Sequence, residues 1–369
     1  MNELYSIYVN FFKDVKILIN FFSLFLFSFV FCYILIILNQ TKLFKQRGIE
    51  DLNAVQSSHT KPVSRIGGLA LFAGTFIILL IAKAIGFQPS NLWLFVIASL
   101  PICLIGTAED LGLEMSPLRR LTAIILSSLL MILFYSCWVS RVGIPYIDTL
   151  LSYAPIGIIF TIFASAGVTN AFNLIDGLNG LAGFTAITIS VSLSLLAFPA
   201  YYDLGVLCLT ITPLIGGFLI LNFPFGKIFL GDGGAYFIGH SLVWIAICVM
   251  EIDSSISPFA MLLIFFWPVS DTLLAIWRRR MLGKPNHLPD RLHFHQLTMR
   301  FLEIKSFGRS KRKITNPIAT TILLPLIISP QIIGVIYARD KIMAPIGLTV
   351  VTIIFIAAYL AGISLAKKR

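Results

Sequence analysis

The sequence predicts an all-α integral membrane protein, a polytopic bundle of about 11 transmembrane helices with its active-site loops on the cytosolic side. Three observations predict it. Of 369 residues, 57% are hydrophobic and 12% charged, with a mean hydropathy of +0.91, whereas soluble domains carry roughly 25% charged residues. The apolar residues fall in repeated runs of about 17 to 23, enough for a helix to cross a hydrocarbon core roughly 30 Å thick. Lysines and arginines gather in alternate connections between those runs.

In chain order the runs are 18–38, 66–86, 91–107, 121–139, 150–169, 180–199, 204–222, 235–251, 256–277, 316–337 and 343–364. Each is expected to be helical, because a backbone in lipid must satisfy its own N–H and C=O groups. The first run has no basic n-region and no A-x-A cleavage site before it, so it reads as a retained span rather than a signal peptide. One domain over 1–369 is expected, with the chemistry-bearing motifs inside 64–296 and a basic loop at 278–315. Cys32, Cys103, Cys137, Cys208 and Cys248 stand singly, which argues against a disulfide framework or a cysteine zinc site.

Placing the loop after the first run in the cytosol puts 22 of the 28 Lys and Arg on that side. Only Lys13, Lys16, Lys83, Arg141, Arg339 and Lys341 fall opposite. The positive-inside rule then sets the N-terminus outside and the C-terminus in the cytosol. The net charge of +11 follows from this topology and does not call for nucleic acid. Trp93, Trp138 and Trp277 near the ends of runs suit interfacial anchors.

Four polar motifs fall on the cytosolic side of this map. "GTAEDLGLEMSP" carries Glu109 and Asp110, "NAFNLIDGLNG" carries Asn170, Asn173, Asp176 and Asn179, "NFPFGKIFLGDGG" carries Asp232, and "PNHLPDRLHFHQ" carries Arg291, His293 and His295. Taken singly each has a bland reading: a solvated acid pair, helix caps, a glycine turn, a surface H-x-H. Yet Glu109 and Asp110 follow directly on an apolar run, where desolvation is costly without a cation or partner. Asp232 precedes a new helix, whose first N–H groups favour anions. On a continuous helix Asn173, Asp176 and Asn179 form one slanting polar stripe, with Gly177, Gly180 and Gly183 a bare stripe open to close approach. Carboxylates from separate loops suit magnesium, a hard cation that binds through one or two carboxylates and substrate phosphates. Basic residues beside them suit the phosphates themselves. The constellation reads as phosphoryl transfer at a membrane surface.

"SRIGGLA", "EDLGLEMSPLRRL", "NAFNLIDGLNGLAG", "FLGDGGAYFIG", "PVSDTLLAIWRR" and "PDRLHFHQ" occur in the order found in one family. The chain resembles the polyprenyl-phosphate N-acetylhexosamine-1-phosphate transferases, glycosyltransferase family 4, which start bacterial O-antigen, teichoic-acid and related glycans. The resemblance implies transfer of a sugar-1-phosphate from a UDP-sugar, UDP-GlcNAc by default, to undecaprenyl phosphate in the bacterial inner membrane, with release of UMP. It implies magnesium as cofactor, with manganese as the substitute, and leaves a homodimer open.

By the same resemblance Asp232, Asp110 and Asp176 are the expected metal-side carboxylates, with Asp110 also the candidate base and Glu109 and His293 catalytic. Arg65, Asn170, Asn173, Asn179, Phe229, Arg291 and His295 are the expected substrate contacts, Phe229 by stacking on uracil. Asp271 reads equally as a structural anchor. Three positions depart from the family pattern: Glu109 stands for the first acid of an Asp-Asp pair, Asn179 for a carboxylate, and Gln296 for the last residue of a histidine motif. The departures favour a divergent subgroup, with a catalytically weakened scaffold as the rival reading. A secondary transporter fits less well, because the ionisable residues crowd one face instead of the bilayer midplane.

Overall fold

The computed structural model describes residues 15–40, 63–84, 92–199, 202–281, 283, 292–308 and 311–367. These form helices α1 (Val15–Gln40), α2 (Gly68–Ala84), α3 (Leu92–Asp110), α4 (Pro117–Tyr135), α5 (Pro145–Leu151), α6 (Ala154–Ile175), α7 (Leu181–Ala197), α8 (Tyr202–Asn222) and α9 (Gly231–Ile252). Then follow α10 (Pro258–Ile264), α11 (Phe266–Met281), α12 (Phe294–Leu302), α13 (Arg312–Ile336) and α14 (Met343–Lys367). No strand occurs among the described residues; a single parallel bridge joins Ser64 to Ile228.

Every expected run overlaps a helix, but the count of 11 spans is not reached. Eight described helices are long and apolar enough to cross a membrane, or nine if the pair α10 and α11 is one span. The run 256–277 is bent by 84° between these two helices. Pro268, in the first turn of α11, has no N–H to give the Ile264 carbonyl that ends α10, and its ring crowds that carbonyl. Helix α7 is short because Gly180, at φ 80°, starts it late.

The bundle is built around α9, in which every residue from Gly231 to Met250 is buried. A helix apolar on all sides belongs inside a bundle, and α9 packs on α2, α3, α6 and α7. Large apolar side chains on the outer helices, such as Leu133, Phe163, Ile332 and Ile353, point away from the protein, as lipid-facing residues do.

Glycines set how close α2, α3 and α9 come. A Cβ on Gly68 would lie 2.2 Å from the Gly234 Cα, and one on Gly106 would lie 2.5 Å from the Gly233 Cα. Backbone meets backbone at both places, as small residues allow between membrane helices. The contact gathers Arg65, just before α2, the acids that end α3, and Asp232 in the first turn of α9.

Candidate active site

Helix α9 begins with donors to satisfy. The first four N–H groups of any helix lack partners within it, and here the Asp110 carboxylate supplies two acceptors. Its Oδ1 accepts the Asp232 N–H at 2.8 Å and its Oδ2 accepts the Gly233 N–H at 2.8 Å. Gly231 makes this possible twice over: its φ is 71°, and a Cβ there would sit 2.5 Å from Asp110 Oδ2 and 1.8 Å from the Arg65 carbonyl oxygen. The anion expected at this helix start is therefore a side chain of the protein itself.

Asp232 and Glu109 do different work from Asp110. Arg65 Nη2 donates to Asp232 Oδ1 at 2.8 Å, while its Nε lies 3.9 Å from Asp110 Oδ1. Glu109 approaches Asp232 within hydrogen-bonding distance and meets Arg120 Nη1 at 3.4 Å through Oε1. Its Oε2 is buried with no hydrogen-bond partner. Tyr236, one turn after Asp232, hydrogen-bonds Arg120, and Asn173 Nδ2 donates to the Tyr236 hydroxyl at 3.0 Å. Glu109, Asp110 and Asp232 thus face two guanidiniums, those of Arg65 and Arg120.

Three gathered carboxyls with one buried oxygen unpartnered are a poor arrangement for anions alone and a good one for a hard cation. The oxygen donors of Glu109 and Asp232 fit magnesium. Asp110 accepts one α9 N–H on each oxygen, which leaves a second lone pair on each.

The 170–180 stretch is not one helical stripe. Helix α6 stops at Ile175, and Asp176, at φ −77° and ψ 46°, caps it. Gly177 and Gly180 interrupt the helix there, so Asn170 and Asn173 lie on α6 while Asn179 lies in the turn beyond. Asn170 Nδ2 donates to the Ala166 carbonyl of its own helix at 2.8 Å. Asn179 is buried as a structural tie: its N–H donates to Asn316 Oδ1 at 2.8 Å, its Nδ2 to the Pro224 carbonyl at 2.9 Å, and its carbonyl accepts from Thr320 at 2.8 Å. Phe229 is also buried, its backbone bound to the Ser64 carbonyl at 2.8 Å and to the Gly67 N–H at 2.9 Å. The glycines here admit side chains rather than a second backbone, Gly183 meeting Leu219 and Gly177 meeting the His295 ring.

His293 and His295 form a second group, on Asp271 of α11. Asp271 Oδ2 lies 3.3 Å from His293 Nδ1 and 3.1 Å from His295 Nδ1, and its Oδ1 accepts the Phe294 N–H at 2.9 Å. Burial holds the His295 pKa below the ordinary histidine value, against the pull of Asp271. One ligand atom from each of the three residues lies within 4.8 Å of the others, a spacing that also admits a metal ion. Two nitrogens and one oxygen are the wrong set for magnesium, and hydrogen bonding accounts for the spacing. Arg291 lies outside the described residues.

Arg120 and Tyr236 were not singled out from the sequence as site residues. Tyr236 had a legible signal, since residues four apart share a helix face and it lies four after Asp232. Arg120 is placed by the start of α4, where Ser116 accepts the Arg119 N–H at 3.3 Å and Pro117 opens the helix.

The profile of "Glycosyl transferase family 4" matches residues 92–250, which include Glu109, Asp110, Asp176 and Asp232. The chain is 26% identical over 284 residues to the undecaprenyl-phosphate alpha-N-acetylglucosaminyl 1-phosphate transferase of Escherichia coli (strain K12), covering 75% of each. The Salmonella typhi protein of that name is likewise 26% identical over 284 residues, with 75% of each chain covered. A probable undecaprenyl-phosphate N-acetylglucosaminyl 1-phosphate transferase of Bacillus subtilis (strain 168) is 28% identical over 261 residues, 69% of this chain and 70% of that one. Over residues 92–250 the chain is thus similar to glycosyl transferase family 4, and over about three quarters of its length to these transferases, on an all-helical membrane bundle.

Proposed function

We propose that the protein transfers a sugar-1-phosphate, N-acetylglucosamine-1-phosphate by default, from its UDP-sugar to undecaprenyl phosphate, releasing UMP. The single observation that carries this is the gathering of Glu109, Asp110 and Asp232 between Arg65 and Arg120, with Glu109 Oε2 buried and unpartnered. The relatives' names supply the acceptor, undecaprenyl phosphate, and the transferred N-acetylglucosamine 1-phosphate; the UDP donor is what the family resemblance implies. The expected place is the bacterial inner membrane with the site facing the cytosol, and the expected product begins a cell-surface glycan such as O-antigen.

Glu109 and Asp232 would hold magnesium, which when bound supplies positive charge beside the phosphates. Joining one phosphate to another brings two anions together, and fixed cations must offset their repulsion. Arg65 and Arg120 flank the two acids and can each bind phosphate oxygens in a forked geometry. A phosphate monoester has a second pKa of about 6, so the acceptor is largely dianionic near neutral pH and needs little help from a base. Asp110 caps α9 with one lone pair on each oxygen and keeps the others for the acceptor side of the site. Asn173 joins the cluster through Tyr236, and Asp176 caps the same helix three residues on.

The test is UMP release by the purified protein from UDP-N-acetylhexosamines, with and without undecaprenyl phosphate and magnesium. Release that needs both, and is lost in Asp232→Asn, supports the reading. Absence of release from every donor by folded protein would refute it.

A further inference from the structure

Asp271 cannot touch a ligand directly. Both of its oxygens are taken by the segment 293–295, whereas each imidazole there keeps one nitrogen unbonded. That segment leads into α12, and the three bonds pin its two imidazoles at once. The rings stack with centroids 5.6 Å apart and planes 29° apart. Both Nδ1 atoms turn toward Asp271 Oδ2, so both Nε2 atoms turn away from it. Those two Nε2 atoms are buried and without hydrogen-bond partners. The one on His295 lies against Gly177, where a Cβ would come within 2.8 Å of it. Gly177 lies four residues after Asn173, whose amide donates to the Tyr236 hydroxyl one turn from Asp232.

We propose that Asp271 is a positioning residue that holds His293 and His295 in the Nδ1–H tautomer, presenting two Nε2 lone pairs to hydroxyl or amide N–H groups of the sugar nucleotide. A carboxylate oxygen only accepts, so each Nδ1 beside it carries the proton, and each neutral ring keeps Nε2 as an acceptor. A buried acceptor without a donor is costly, and the bound substrate supplies the missing donors. Ionised phosphate oxygens offer lone pairs alone and do not fit two acceptors. The ligand assignment rests on the transferase reading; the tautomer assignment does not.

Asp271→Asn is the informative substitution. If the Phe294 N–H keeps Oδ1, the new amide turns its NH2 toward both Nδ1 atoms. They then become acceptors, and the protons move to Nε2. The variant is close to isosteric yet reverses the polarity of both Nε2 atoms.

The experiment is 15N NMR of histidine-labelled full-length protein at neutral pH, with signals assigned by their loss in His293→Gln and His295→Gln. The wild type is expected to show both rings with Nδ1 protonated and Nε2 bare. Asp271→Asn is expected to show the reverse, with KM for the UDP-sugar raised about tenfold or more, the effect of one good hydrogen bond lost. KM for undecaprenyl phosphate should stay unchanged. A wild-type spectrum with Nε2–H on either ring would overturn the proposal, and needs no variant to fold. An equal rise in both KM values would also overturn it, since that marks general damage. If the tautomers are as expected but the wild type turns over no UDP-sugar, the transferase reading fails and the positioning role stands.

Discussion

The Asp110 carboxylate accepts the Asp232 backbone N–H at 2.8 Å, so one acid of the site builds the helix that presents another. Its neighbour Glu109 faces the Asp232 side chain instead. Two adjacent acids therefore divide the work: Asp110 fixes the start of α9, and Glu109 shares the charged cluster with Asp232. Asp110→Ala should cost about 0.5–2 kcal/mol, the usual loss for a helix cap, read as a lower Tm in detergent. A Tm equal to that of the wild type would show that α9 does not depend on this cap.

Arg65 bonds Asp232 at 2.8 Å and so competes with any cation drawn to that carboxylate. Arg65→Ala should bind divalent cation more tightly than the wild type and gain more thermal stability from it, while turnover falls. Titration calorimetry with magnesium measures the first effect directly. Weaker binding in the variant would mean that Arg65 supports the ion instead of competing with it.

The glycine contacts predict a contrast. Gly106→Ala places a methyl group 2.5 Å from the Gly233 Cα and must push α3 from α9. Gly167→Ala, on α6, meets nothing within 4 Å and sits inside a helix, where alanine is favoured by about 1 kcal/mol. The first variant should lose folded yield and Tm, and the second should keep both. Equal behaviour of the two would remove backbone contact as the reason for these glycines.

Asn179→Asp introduces the carboxylate that the family resemblance leads one to expect there, yet should harm this protein. The amide donates to the Pro224 carbonyl at 2.9 Å, and a carboxylate there has no proton to give. Leaving buried polar groups unsatisfied costs about 1–3 kcal/mol. The expected result is a lower Tm with no gain in turnover; a more active variant would contradict the structural role given to Asn179.

Much of this was legible in the sequence, for reasons that differ by element. The apolar runs located the helices because lipid leaves the backbone no alternative. The same runs do not by themselves fix the number of spans, since hydropathy does not report the bend between α10 and α11 or the late start of α7 after Gly180. The acids on motifs pointed to the charged cluster, and Arg65, Glu109, Asp110 and Asp232 do meet there. Their separate roles were hidden, because which acid caps and which faces the cluster depends on how α3 ends against α9. Asn179 and Phe229 read as ligand contacts from their motif positions; their ties to Asn316, Pro224, Ser64 and Gly67 depend on tertiary packing and were not legible. Asp271 was visible only as an odd charge in an apolar run, until the fold brought the histidines to it.

The most direct test of the account is manganese binding followed by EPR, on the wild type and on Glu109→Gln, Asp110→Asn and Asp232→Asn. The account predicts that Glu109→Gln and Asp232→Asn lose the bound-ion signal. Asp110→Asn should keep it at a temperature where that variant is folded. Loss in Asp110→Asn with retention in Glu109→Gln would contradict the division of labour between these two acids.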